Sequence, residues 1–314
     1  MRKFVVKTLL GGGIIVLVVF LIETSLFFLP NAFTAKSNYL DEHLDDIKIL
    51  MLGHSHAENG FIPSEIGDSV FNFSSGGRHI KYDVKIVEKY VPKMKNLKVV
   101  LYPIAYNFQY LSYDHICLKN NREWLNLYSL IPTFHCMYFK YYGFSYNKKS
   151  FLYWSEVINS KLDFWKRFLG SESDMPSKVE CFKGYFPLPE KEVGWEKSQL
   201  TFEIDDNSPE KDSAYKENLD CLNQIAKICK IHNVKLLLIS FPVYKTFLER
   251  VNSKCINEMK EYVYIIKNRH ANIEYYNYID DMRFSEVDFY NASHLTDIGA
   301  HKFSQILKKE VLDN

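Results

Sequence analysis

The chain carries almost no net charge and little that could hold a metal. Its 39 Lys+Arg stand against 38 Asp+Glu, a formal net charge of +1. No excess of either sign points to a nucleic-acid partner. No internal repeat or low-complexity tract occurs in the 314 residues. Cys117, Cys136, Cys181, Cys221, Cys229 and Cys255 form no Cys-x-x-Cys pair. Cys221 and Cys229 fall on one expected helix, about 12 Å apart at about 1.5 Å per residue, too far to bridge each other. Disulfides are permitted if the domain is exported, and spacing assigns none, so free buried thiols remain equally open. His54-x-His56 has no companion cluster of Asp, Glu or His at ligand spacing, so no metal is expected. Nothing calls for a cofactor.

What the sequence does have is apolar mass. Hydrophobic residues make up 47% and aromatics 16%, enough for one large α/β domain with an insertion, or for two small ones. Arg2, Lys3 and Lys7 precede Thr8 to Leu29, whose only charge is Glu23. That stretch is long enough to cross a bilayer, which takes about 20 apolar residues. The basic flank predicts that the body lies outside the cytoplasm. A cleaved signal peptide is the rival reading, but no small-x-small cleavage site is convincing, and no cysteine before Cys117 allows a lipid anchor. The preferred division is a membrane anchor over 1–30, a polar linker over 31–46, and a domain over 47–314 with an insertion at 108–212.

Within the domain, apolar runs predict strands at Ile47 to Leu52, Val70 to Phe73, Leu97 to Ile104, Val234 to Phe241 and Ile273 to Tyr276. Helical spacing covers Lys81 to Val91, Ser213 to Ile231, Tyr244 to Asn268 and Thr296 to Leu312, with Thr296 as N-cap. Strands alternating with helices imply a parallel sheet covered on both faces. The insertion begins rich in aromatics, from Trp124 to Tyr142. A helical excursion with its own small core is favoured there over a lid or sugar platform.

Two short segments carry the chemistry. Ile49-Leu50-Met51-Leu52 runs into Gly53-His54-Ser55-His56-Ala57, a strand that breaks at a glycine and presents a serine. Asp288-Phe289-Tyr290-Asn291-Ala292-Ser293-His294-Leu295 reads as a loop that delivers a histidine before the last helix. A serine hydroxyl needs a base to become a nucleophile, and such a pair is what serine acyl-transfer sites use. Ser55 is therefore the candidate nucleophile and His294 the general base, with Asn291 orienting the ring. Asp288 and Asp297 are alternative orienting acids. His56 is expected under the turn or against substrate. Arg78 and His79 read as an exposed helix start, with an anionic glycan as the other option.

Leu52-Gly53-His54-Ser55-His56-Ala57 resembles the first block of the SGNH/GDSL hydrolase superfamily. Asn72-Phe73-Ser74-Ser75-Gly76-Gly77 resembles the second, and Asn291-x-x-His294-Leu295 followed by Gly299-Ala300 the last. The most similar branch is membrane-anchored and includes the D-alanyl transfer protein of teichoic acid and the alginate O-acetylation proteins. The resemblance implies a flavodoxin-like, three-layer fold. It implies an oxyanion hole from the N–H groups of Ser55 and of Gly76 or Gly77, with Asn107 as third donor. Two departures stand out: Asn291 replaces the usual aspartate, and the block normally reading Gly-x-Asn-Asp is absent. The expected function is an extracytoplasmic O-acyl transferase, acetyl by resemblance, or an esterase, acting on a surface polysaccharide. A membrane-bound partner would supply the acyl group for transfer. The departures sustain a second reading, a catalytically impaired binding or assembly factor for a glycan-modifying complex. A lipid or thioester hydrolase is a third.

Overall fold

Residues 1–26, 32–76, 78–106, 108, 175–188, 209–251 and 253–313 are described in a computed structural model. Five short strands, β1 (Ile49–Met51), β2 (Val70–Asn72), β3 (Val99–Pro103), β4 (Lys235–Ser240) and β5 (Ile273–Asn277), form one sheet in the order β2-β1-β3-β4-β5. Every pairing is parallel, with Ile49 opposite both Val70 and Val99, and Leu236 opposite Ile273. The chain is thus an α/β protein with a five-stranded parallel sheet. Each expected strand forms, trimmed by a residue or more at most of its ends.

Both sheet faces are buried because both are apolar. Side chains alternate along each strand. Leu50, Leu52, Val100, Tyr102, Leu236 and Leu238 face one core. They meet α5 (Ile80–Tyr90), α7 (Pro209–Ile231) and α9 (Ser253–Arg269) through Val84, Val87, Ile225, Tyr262 and Ile266. Met51, Leu101, Leu237 and Ile239 face the other core. There they meet α3 (Ser55–Gly60), α4 (Pro63–Ile66) and α10 (Asp297–Leu307) through Ala57, Ile66, Ala300 and Phe303. Each fully buried Val, Leu, Ile, Met or Phe among them contributes about 1.5–3 kcal/mol of transfer free energy.

Four features differ from the sequence reading. The segment read as a linker contains a helix, α2 (Ala32–Glu42), whose Ala35, Lys36, Ser37 and Leu40 are buried. It leans on α6 (Met175–Phe182), a described part of the insertion. The single helix expected over 244–268 is divided, because Val251 turns to extended backbone at the end of α8 (Lys245–Arg250), before α9 begins. Arg78 and His79 are buried rather than exposed. Arg78 pairs with Asp83 at 2.6 Å, and His79 caps α5 by accepting from the Lys81 N–H. Finally, 289–295 is a tight antiparallel ribbon rather than a plain loop: β6 (Phe289–Asn291) pairs with β7 (His294–Leu295) across a register shift.

The aromatic-rich part of the insertion lies outside the described residues, as do Cys117 and Cys136. Cys181, Cys221 and Cys229 are free thiols. Burial pushes Cys221 and Cys229 up to about 12, so both are inert at neutral pH. The apolar N-terminal stretch forms α1 (Arg2–Leu26), with Leu9, Leu10, Ile14, Ile15 and Leu17 exposed. Among the described residues no helix is long and apolar enough to cross a membrane; α1 also contains residues, such as Val16 and Phe20, whose side chains are not described.

Candidate active site

The site forms at the C-terminal edge of the sheet, where β1 stops. Gly53 turns the chain with φ +99°, a conformation that suits glycine. A Cβ there would sit 2.3 Å from the Pro103 ring. The Gly53 N–H donates to Asp83 Oδ1 at 3.3 Å, its carbonyl accepts from the Ser75 N–H at 2.9 Å, and the Tyr102 hydroxyl donates to Asp83 Oδ2. Asp83, paired with Arg78, therefore braces the turn from beneath. Ser55 opens α3, and no side chain caps that helix from His54. The Ala57 and Glu58 N–H groups donate to the His54 carbonyl, while those of Ser55 and His56 fall at the helix start, where no intrahelical acceptor exists.

Ser55 and His294 are 239 positions apart in the chain, and their side chains meet at 2.8 Å, Oγ to Nε2. The ring's other nitrogen, Nδ1, lies 3.0 Å from Asn291 Oδ1. Which end of the Asn291 amide faces the ring follows from its other contacts. Backbone N–H groups of His294 (2.9 Å) and Ser293 (3.1 Å) both donate to the same atom. Only oxygen accepts, so Oδ1 faces the imidazole, Nδ1 carries the proton, and Nε2 is left to accept from the serine hydroxyl. This is the tautomer a general base needs. The Ser293 hydroxyl lies 3.1 Å from Nδ1 and shares that acceptor.

Three imidazoles are gathered here. His56 stacks on His294 with ring centroids 4.6 Å apart, and His54 meets His56 edge-on at 4.9 Å, their Nδ1 atoms 3.1 Å apart. Burial holds His294 down to about 4 and His54 to about 3. It holds His56 well below its usual value, with His294 and His54 adding to the shift. All three are neutral at pH 7. His294 can accept a proton, but with a low affinity for it.

The remaining expected residues are placed less simply. Gly76 lies near Ser55, a Cβ there standing 4.0 Å from that of Ser55, but its N–H donates to Glu58 Oε2 at 2.6 Å. Glu58 Oε1 accepts from Lys36 Nζ at 3.1 Å, and Lys36 also donates to the Ser74 carbonyl and sits over the Phe186 ring. Burial lowers Lys36 to about 8 in spite of that partner. Gly77 and Asn107 lie outside the described residues. Asp288 caps the turn Glu286–Asp288 through the Ser285 N–H and pairs with Lys302 at 2.9 Å; Asp297 accepts from the Tyr185 hydroxyl. Both carboxylates are engaged away from the imidazole, so the orienting contact is that of Asn291. Asn72 has a role the sequence did not suggest: its amide donates to the carbonyls of Ala57 and Phe61, tying the second block to α3.

Glu58, Lys36, Ser293 and Asp83 were not anticipated. Glu58 follows Ser55 by three positions, a helical spacing that sets both on one face. Asp83 interrupts the apolar stripe of Ile80, Val84 and Val87 on α5, a signal in itself. Lys36 and Ser293 carry no such mark. Among the described residues no group of His, Cys, Asp and Glu could hold a metal ion.

No protein-family model matches the chain, and no curated protein matches it in sequence. A solved structure described as a proposed platelet activating factor from Streptococcus pneumonia is similar over 94% of this chain and 98% of its own, at 11% identity and a TM-score of 0.46. A likeness at that level carries no argument about the site.

Proposed function

We propose that this protein is a serine-dependent ester hydrolase or O-acyl transferase of SGNH type, its sheet wound in the flavodoxin-like order. The observation that carries the reading is the relay from Ser55 Oγ through the His294 ring to Asn291 Oδ1, at 2.8 and 3.0 Å. His294 Nε2 takes the hydroxyl proton as Oγ attacks the ester carbonyl. The same nitrogen returns the proton to the leaving alcohol, which leaves an acyl-Ser55 ester. Water or a second alcohol then attacks that ester with His294 again as base. The N–H of Ser55 is the first oxyanion donor. Gly76 serves as a second only when Glu58 moves off it; Gly77 and Asn107 are further donors by resemblance. Each such donor is worth about 3 kcal/mol in the transition state.

A surface polysaccharide as acceptor, a membrane-bound acyl donor and an anchor through α1 belong to this proposal. The family resemblance and the apolar α1 support them. Two observations favour the second reading, an impaired binding or assembly factor: the amide at Asn291 and the Glu58 carboxylate on the Gly76 N–H. A fluorophosphonate probe separates the two. Labelling that is lost in Ser55→Ala is expected. Folded wild-type protein that neither labels nor cleaves an aryl ester overturns the enzyme reading.

A further inference from the structure

The proton relay leaves two of the three imidazoles without a task, and the nearer of them lies on the face of the base. His294 is held at both nitrogens. Its Nε2 meets Ser55 Oγ at 2.8 Å, and its Nδ1 meets Asn291 Oδ1 at 3.0 Å and the Ser293 hydroxyl at 3.1 Å. Hydrogen bonds to imidazole nitrogens run along the plane of the ring. They fix the line that joins the two nitrogens but do little against a tilt of the ring about that line. His56 supplies a contact that does: its ring stacks on that of His294, with centroids 4.6 Å apart and planes 26° from parallel. His56 is itself held from behind. Its Nδ1 lies 3.1 Å from His54 Nδ1. Both rings are neutral at pH 7, so one of these atoms donates and the other accepts. His54 is 9% exposed and meets His56 edge-on, a fixed support for the second ring.

Resting on the acyl-transfer reading above, we infer that His56 is a positioning residue for the base: its ring walls one face of the His294 imidazole, holds it in line between Ser55 and Asn291, and keeps water from it. His54 acts one step further back, as the support of His56, and neither ring belongs to the proton relay. Loss of water penalises the imidazolium, and burial is what holds His294 down to about 4. Charged groups on the neighbouring elements have partners of their own. On α3, Glu58 binds Lys36 and the Gly76 N–H. On α10, Asp297 accepts from the Tyr185 hydroxyl, and His301 meets Glu65. Asp288 pairs with Lys302, and Arg78, whose charge acts on His54, pairs with Asp83.

The test replaces His56 in the full chain and reads the base itself as well as turnover. His56→Ala removes the wall; His56→Phe keeps a ring there without a nitrogen to bond His54. The pH at which His294 titrates is followed by proton NMR, its ring signals identified by their loss in His294→Gln. In His56→Ala it should rise from about 4 by about 1 pH unit or more, toward the value of about 6.5 for a solvated ring. The acid limb of kcat/KM for an aryl ester should move with it. At pH 8, kcat should fall by about tenfold or more with KM little changed, because a tilted base misses the serine rather than the substrate. His56→Phe should restore most of both. A wild-type His294 that titrates near 6.5, a titration that stays put in His56→Ala, or a Phe variant as impaired as the Ala variant overturns the inference. The titration needs no turnover, so the two readings fail separately. Folded wild type that neither labels at Ser55 nor cleaves an ester removes the enzyme, while the NMR titration still judges the wall.

Discussion

At the scale of single residues, the decisive contact is Asn291 on His294. An amide oxygen fixes the tautomer but brings no charge to the imidazolium that forms during attack. Burial then holds the ring at about 4, so the base is weak and turnover should be slow. Asn291→Asp places a carboxylate at 3.0 Å from Nδ1. It should raise kcat/KM for an aryl ester at pH 8 by about tenfold or more, because the opposite charge favours the imidazolium. The same charge moves the acid limb of the pH profile upward. Wild type, whose base loses its proton near 4, keeps its activity down to about pH 5, where the Asp variant declines. Asn291→Ala should lower turnover while labelling of Ser55 survives. Identical profiles in all three proteins would remove Asn291 from the mechanism.

At the scale of elements, the site depends on helices that the sequence did not mark as functional. Helix α3 presents Ser55 and, one turn on, Glu58. Helix α2 supplies Lys36, whose side chain is 2% exposed against 14% for Glu58. Removing one partner of a buried ion pair strands the other charge. Glu58→Ala should therefore cost about 3–5 kcal/mol in denaturant unfolding, and the double variant with Lys36→Met should recover most of it. Additive losses would mean that the pair is solvated. Because the double variant also frees the Gly76 N–H, its aryl-ester turnover should exceed that of wild type if Gly76 serves the oxyanion, and its failure to do so would remove Gly76 from that role.

At the scale of the whole molecule, the histidine array links stability to pH. His54, His56 and His294 are neutral when folded, with His54 at about 3 and His294 at about 4, against 6.5 for an unperturbed ring. Depressed values mean that the unfolded chain binds more protons as pH falls below 6.5. Stability is then full above about pH 6.5 and lost progressively toward pH 4, at about 1.4 kcal/mol per pH unit for each ring. Asp83, which burial holds above the ordinary carboxylate range, works in the opposite direction at the acid end. Unfolding free energies at pH 7 and pH 5 should differ accordingly, and His294→Gln should take up about one proton fewer on unfolding at pH 5. An unchanged slope would mean that the ring is not buried neutral. A separate measurement bears on the proposed orientation: a reporter fused after Asn314 is expected to be active only outside the cytoplasm, and activity inside would remove the surface-glycan substrate.

Much of this was legible because it is local. Short unbroken apolar runs mark the five strands, and period-3.6 apolar spacing marks most helices. The Gly53 turn with Ser55 after it, the Thr296 cap and the proximity of Asn291 to His294 are all written in short spacings. Other features were not local, and no pattern of one segment could hold them. Residues 32–42 look polar and unremarkable; only packing against the sheet domain buries Lys36 and so makes a helix of them worth forming. The break at Val251 follows no Gly or Pro. Asp288 and Asp297 stood as open alternatives until Lys302, Ser285 and Tyr185 engaged them. The sequence by itself determined an alternating α/β chain with a serine after β1 and a histidine near its end, since backbone propensity and apolar periodicity act over a few residues. Tertiary structure alone decided that these two meet at 2.8 Å across 239 positions, that three imidazoles share one desolvated site, and that a carboxylate rests on the Gly76 N–H, because each depends on which strands the sheet sets side by side.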